Sequence, residues 1–279
     1  MVTAGPEDGR ALLFQTGTPT AAVPFAPAVD AAARHGLRMV LYSRPGYGAS
    51  TPDPGRSVAS CTADIAAILD ELGFDEFVTV GWSGGGPHAL ACGALLAGRC
   101  RAVATIAGVA PYPAAGLDWL AGMGEENVKE FARAIQGEAS LRPGLRELLP
   151  QFQEVTAAAV ADALGDLVTD VDKAALTDAF AENTAATFRR ALSRGVEGWL
   201  EDNLAFVKPW GFELDEIRVP VMIWQGGQDR MVPFSHGQWL ARHVPGATAR
   251  LLPDEGHLSL VVSSFDRILG ELVAAASAA

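Results

Sequence analysis

The pentapeptide Gly81-Trp82-Ser83-Gly84-Gly85 fits the pattern G-x-S-x-G, which places a serine on a sharp turn from a strand into a helix. The string alone recurs by chance, but its setting is specific. A valine-rich run, Phe77 to Trp82, precedes it, and an alanine-rich segment, Gly84 to Leu96, follows. A nucleophile on a strained turn needs small neighbours, and Gly81 and Gly85 leave that room. Ser83 then projects from the strand's end toward backbone N–H groups of the helix N-terminus, where an oxyanion would form. The amide of Gly84 is the natural first donor. Two rival readings are a glycine-rich turn with a helix-capping serine and a dinucleotide or phosphate loop. Neither GxGxxG nor a GKS or GKT sequence is present at this position.

A serine hydroxyl is a poor nucleophile without a base. The chain has five histidines. His35 closes an early helix, His88 is expected to pack along the helix after Ser83, and His236 and His243 belong to a helix expected near the surface. His257 stands apart, in Asp254-Glu255-Gly256-His257, between the last strand and the last helix. In a parallel sheet that loop shares the strands' C-terminal edge with Ser83. A carboxylate on the same edge would orient the imidazole and stabilise its charged form. Asp229 meets this need, in the loop Gln225 to Pro233 after the strand Val219 to Trp224. Asp254 and Glu255 are rivals, but residues adjacent in sequence seldom reach across to the ring. The loop after Ile106 offers no carboxylate.

The elements that must position these groups alternate in type. Strands are expected at Ala11–Phe14, Leu37–Tyr42, Phe77–Trp82, Ala102–Ile106, Val219–Trp224 and Ala249–Leu252, with helices between them. Such alternation gives right-handed βαβ crossovers and an α/β fold, a mostly parallel sheet with helices on both faces. From Pro113 to Gly211 no strand is evident, and helices are expected at Glu126–Ile135, Leu145–Phe152, Thr156–Leu164, Lys173–Leu192 and Val196–Phe206. We read residues 1–112 and 212–279 as the core and 113–211 as a helical insertion. A separate helical domain is the alternative, but the flanking βα units favour insertion.

Composition narrows the class. In 279 residues, 49% are hydrophobic and 19% charged, as in a globular chain with a large core. A net charge of −12 disfavours nucleic acid and anionic membrane surfaces as partners. Cys61, Cys92 and Cys100 form no CxxC pair, so neither a disulfide framework nor a zinc site is indicated, and no metal is expected. The first ten residues have no apolar segment of a signal peptide. No apolar run reaches the roughly 18–20 residues that span a bilayer. The expected protein is cytoplasmic and acts on a small molecule. Its oligomeric state is open.

The order Ser83, Asp229, His257 and four motifs together resemble the α/β-hydrolase superfamily, in particular its capped, esterase- or lipase-like members. The motifs are Thr16-Gly17-Thr18-Pro19, Arg44-Pro45-Gly46-Tyr47-Gly48-Ala49-Ser50, the Ser83 turn, and Gly227-Gln228-Asp229 with Gly256-His257. The resemblance implies a nucleophile–acid–base triad, no cofactor, and a second oxyanion donor in the backbone N–H of Thr18. The Arg44 loop would be mostly structural. Thr16 stands where the family writes histidine, so that residue's usual support of the loop is missing. Family members usually begin with an antiparallel hairpin, but only about ten residues precede the first clear strand here, so the sheet is expected to lack its first strand. The implied reaction is acyl transfer through an acyl-enzyme, favouring an ester, lactone or similar small acyl substrate. The insertion would roof the site, and Trp82, Trp119, Trp199 and Trp210 are candidates to line it or to serve as core. Aminopeptidase-like, lyase or carbon–carbon hydrolase chemistry on the same three residues remains open, as does a non-catalytic ligand-binding role.

Overall fold

The structure, a computed structural model, describes residues 1–278. Seven strands form one sheet: β1 (Val2–Ala4), β2 (Arg10–Gln15), β3 (Leu37–Leu41), β4 (Phe77–Trp82), β5 (Cys100–Ile106), β6 (Val221–Gly226) and β7 (Thr248–Leu252). Their spatial order is β1-β3-β2-β4-β5-β6-β7. All neighbours are parallel except β1, which runs antiparallel to β3 with Val2 opposite Leu41 and Ala4 opposite Met39. A single three-residue strand takes the place of a hairpin, so the sheet edge is one strand shorter, as expected; the strand that remains, β1, is too short to show an alternating pattern.

The central strands are buried on both faces, as their near-continuous apolar runs require. Helices α1 (Ala26–Arg34), α2 (Cys61–Glu71) and α3 (Gly85–Leu95) follow β2, β3 and β4. The connection from β2 to β3 travels one way along the sheet, and that from β3 to β4 travels back. Right-handed crossovers that reverse direction change face, so α1 and α2 lie on opposite sides. Helix α2 ends through Gly73, at φ +72°, with Phe74 N–H donating back to the Leu69 carbonyl.

Between β5 and β6 lie α4 (Glu125–Gln136), α5 (Glu138–Gln153), α6 (Val160–Leu164), α7 (Asp170–Ala175), α8 (Asp178–Ala191) and α9 (Glu197–Phe206), with no strand among the described residues. The expected bounds are met within a residue for α4 and α9, α6 starts at Val160 rather than Thr156, and two differences are larger. Helix α5 starts at Glu138 rather than Leu145 and runs through Pro143. The single helix expected over Lys173–Leu192 is two, α7 and α8, because Leu176 leaves helical geometry and Thr177 is extended ahead of Asp178. The break lets α7 approach the last helix. After the insertion, α10 (Phe234–His243) links β6 to β7, and α11 (His257–Ala278) closes the chain against α1 and β5. No helix among the described residues is long and apolar enough to cross a membrane.

Candidate active site

Ser83 follows the last residue of β4 with φ +55°, a left-handed backbone that a side chain adopts only when its surroundings enforce it. Two bonds do so. Ser83 N–H donates to the Ile106 carbonyl at 2.8 Å, and Gly86 N–H donates to the Ser83 carbonyl at 2.9 Å to begin α3. The glycines are sterically required. A Cβ on Gly81 would strike the Gly85 carbonyl oxygen, one on Gly85 the Gln15 carbonyl oxygen, and one on Gly84 the hydroxyl of Thr18.

The loop after β2 lies directly against this turn. A Cβ on Gly17 would stand 3.4 Å from the Ser83 Cβ. The amides of Thr18 and Gly84 donate to no protein acceptor among the described residues, which leaves both available beside Ser83.

His257 is the first residue of α11 and is buried. Its Nδ1 lies 2.8 Å from Asp229 Oδ2. Asp229 is fixed in turn: Oδ1 accepts the amides of Met231 and Val232, each at 2.8 Å, and Oδ2 also accepts Gln225 Nε2 at 3.1 Å. Burial disfavours the imidazolium, but the charge and hydrogen bond of Asp229 outweigh it, so His257 titrates above an ordinary imidazole. Its ring packs 5.7 Å from that of Trp82. With Nδ1 committed to Asp229, Nε2 is the nitrogen left for Ser83. Ser83 and His257 line the same cavity, although the Ser83 hydroxyl forms no side-chain hydrogen bond among the described residues. The rival carboxylates lead elsewhere: Glu255 binds the hydroxyls of Ser259 and Ser263, and Asp254 is exposed.

Two carboxylates of the insertion, overlooked in the sequence, brace this arrangement. Asp172, buried on α7, accepts the amides of Leu258 at 2.7 Å and Ser259 at 3.0 Å, capping the helix that His257 opens. Asp202, buried on α9, accepts from Thr18 Oγ1 at 2.6 Å, Tyr47 OH at 2.8 Å, Arg56 at 2.6 Å and Arg44. Burial opposes its ionisation, yet Arg44 and Arg56 hold it well below the usual carboxylate range. Arg44 also donates to the carbonyls of Thr16 at 2.6 Å and Gly17 at 3.0 Å. The support that a histidine at position 16 would give is thus supplied by an arginine and a distant aspartate, while the Thr16 hydroxyl has no hydrogen-bond partner among the described residues.

Two other buried histidines, His236 and His88, have partners away from Ser83. His236 is fully buried, not near the surface as expected: Nδ1 accepts the Ala110 amide at 3.1 Å, and Nε2 lies 2.8 Å from the Trp119 carbonyl. Burial lowers it to about 4, so it is neutral. His88 does not simply pack along α3. Its Nδ1 lies 3.2 Å from the Val58 carbonyl and its Nε2 3.6 Å from Asp202, and burial lowers it to about 4 as well.

Above Ser83 a cavity of about 870 Å³ separates core from insertion. Trp82 and Trp199 line it, whereas Trp119 and Trp210 are core residues outside its wall. Its lining is mostly apolar, as in small-molecule sites. One insertion residue in the wall, Glu130, is a carboxyl that burial raises to about 7, against hydrogen bonds from Trp199 and Asn203. No group of three or more His, Cys, Asp or Glu side chains among the described residues is arranged to hold a metal ion.

Comparison with known proteins agrees with this architecture. The model of the alpha/beta hydrolase fold family matches residues 10–264. An uncharacterised hydrolase of Bacillus subtilis (strain 168) is 24% identical over 229 residues, covering 80% of this chain and 76% of its own. A pimeloyl-[acyl-carrier protein] methyl ester esterase of Aromatoleum aromaticum is 28% identical over 247 residues, covering 85% and 84%. A carboxylesterase structure from the thaumarchaeon Nitrososphaera gargenis superposes with a TM-score of 0.70 at 17% identity, over 100% of this chain and 95% of that one.

Proposed function

We propose that this chain, which belongs to the α/β-hydrolase fold family, is a serine hydrolase of ester-like or other small acyl substrates. Ser83 is the nucleophile, His257 the base and Asp229 the residue that fixes the base. The observation that carries the reading is the conjunction, on one cavity, of Ser83 at φ +55° with His257, whose Nδ1 lies 2.8 Å from Asp229 behind it. His257 takes the proton of Ser83 as its oxygen attacks the carbonyl carbon, and later gives that proton to the leaving group. The oxyanion is held by the amides of Thr18 and Gly84, and water then releases the acyl-enzyme.

Residues 113–211 act as a cap over the core formed by residues 1–112 and 212–279. Trp82 contributes to the substrate wall. The apolar cavity supports a small acyl group in preference to an extended peptide. The named activity of the Aromatoleum aromaticum relative points to esters as the first class to test. Hydrolysis of short-chain p-nitrophenyl esters by the wild type, reduced to background in a folded Ser83→Ala protein, is the expected result. Equal rates in the two proteins would exclude Ser83 as nucleophile, and no turnover in either would favour ligand binding or another reaction on the same residues.

A further inference from the structure

The cavity wall contains a carboxyl that the triad does not use. Glu130 projects from α4, and its Oε1 accepts Trp199 Nε1 at 2.8 Å and Asn203 Nδ2 at 2.7 Å, both from one face of α9. These two donors fix the group's orientation. Oε2 accepts no hydrogen bond from the described residues, and protein atoms do not seal it off. Glu130 is half-buried and lines the cavity. No salt-bridge partner is bound to it among the described residues, unlike Asp202 and its two arginines.

Helix α9 gives the scale. Phe206 meets Gly84 beside the nucleophile, and Asn203 and Trp199 follow upstream on the same helix. At ~1.5 Å of rise per residue, Glu130 stands roughly 5–10 Å from the Ser83 turn along that axis. The remaining ionisable wall is also acidic. Glu126, Asp162 and Asp266 line the cavity; Asp266 is paired with Arg34 at 2.8 Å and Glu126 with Lys129 at 3.2 Å, which leaves Asp162 without a cation among the described residues. A chain of net charge −12 draws cations toward such a pocket.

We infer that Glu130 is a recognition site for a protonated amine, and that the substrate carries a cationic nitrogen at least roughly 5 Å from its reacting carbonyl. The free Oε2 would accept a charge-assisted hydrogen bond from that nitrogen, in an apolar enclosure where such a bond is strongest. Burial opposes ionisation of Glu130, and a bound ammonium ion would offset that penalty. That the amine belongs to a substrate rests on the serine-hydrolase reading, whereas the binding site itself does not.

The test separates the two. In Ser83→Ala protein at pH 8, calorimetry compares methyl 6-(dimethylamino)hexanoate with its uncharged isostere, methyl 7-methyloctanoate. The cation is expected to bind roughly tenfold or more tightly, the range of one hydrogen bond to a charged group. Adding Glu130→Gln, which keeps an oxygen for Trp199 and Asn203, should bring the ratio near one. A ratio near one with Glu130 present, or a preference that survives Glu130→Gln, overturns the proposal. Cation preference in a protein whose wild type hydrolyses neither ester would leave this site standing and remove the serine-hydrolase reading.

Discussion

Removal of the Thr18 hydroxyl tests how the loop beside Ser83 is held. Thr18→Val keeps the shape but deletes the donor to Asp202 and the acceptor for Arg44, contacts of 2.6 and 3.1 Å. No charge is orphaned, because Asp202 keeps Arg44, Arg56 and Tyr47, and Arg44 keeps Asp202 and the carbonyls of Thr16 and Gly17. The stability loss is therefore that of two hydrogen bonds to charged groups, about 3–6 kcal/mol. At about 2–4 °C per kcal/mol, Tm falls by roughly 6–24 °C. The catalytic effect is larger than a uniform loosening would give. Complete loss of one oxyanion donor lowers kcat about 10²–10³-fold, and a loop freed at one anchor should lose roughly tenfold or more. Ester hydrolysis and thermal denaturation of Thr18→Val and Thr18→Ser measure both, and the serine variant, which keeps a hydroxyl, should recover kcat. A Thr18→Val protein with lowered Tm and unchanged kcat would refute the positioning role.

Two further effects follow from the same geometry. Neutral His257 must accept the Ser83 proton, so kcat/KM should fall as pH drops through a value above the ordinary imidazole value of about 6.5. In Asp229→Asn the attractive charge is gone and burial dominates, so that midpoint should move down in a pH–rate profile, with kcat lowered on the order of 10⁴-fold. The stability that the pair contributes is fully present below the unfolded imidazole's value and is lost as pH rises through the raised folded value, which pH-dependent denaturation would show. Asp172→Ala removes the cap of α11 and should cost about 1–2 kcal/mol, a Tm loss of roughly 2–8 °C, together with lower kcat because His257 opens that helix. Retention of full kcat at reduced Tm would show the cap to be structural only.

The parallel sheet was legible because each strand is a short apolar run bounded by glycine or a polar turn. β4 is read at its observed bounds, and α3 within a residue of its own. That Ser83, Asp229 and His257 lie at one edge of the sheet was legible because parallel strands deliver their following loops there. β1 was not, since three residues carry no period. The supports were not legible either. Asp202 is 184 residues from Thr18, and Asp172 is 86 from Leu258. Nothing local distinguishes such an acidic residue on a helix from a solvated one. Arg44 was read as part of a structural loop, and burial against Asp202 gives that role its physical content. His236 was misplaced because its helix pattern is amphipathic, while its partners, Ala110 and Trp119, lie far earlier in the chain.

The central claim is that Ser83 is the one activated hydroxyl of this chain. The most direct measurement is stoichiometric reaction with a fluorophosphonate, followed by mass spectrometry of the digested protein. One phosphonyl group on Ser83, absent in His257→Ala, is the predicted result. A label on any other residue, or an unlabelled Ser83 in folded protein, would contradict it.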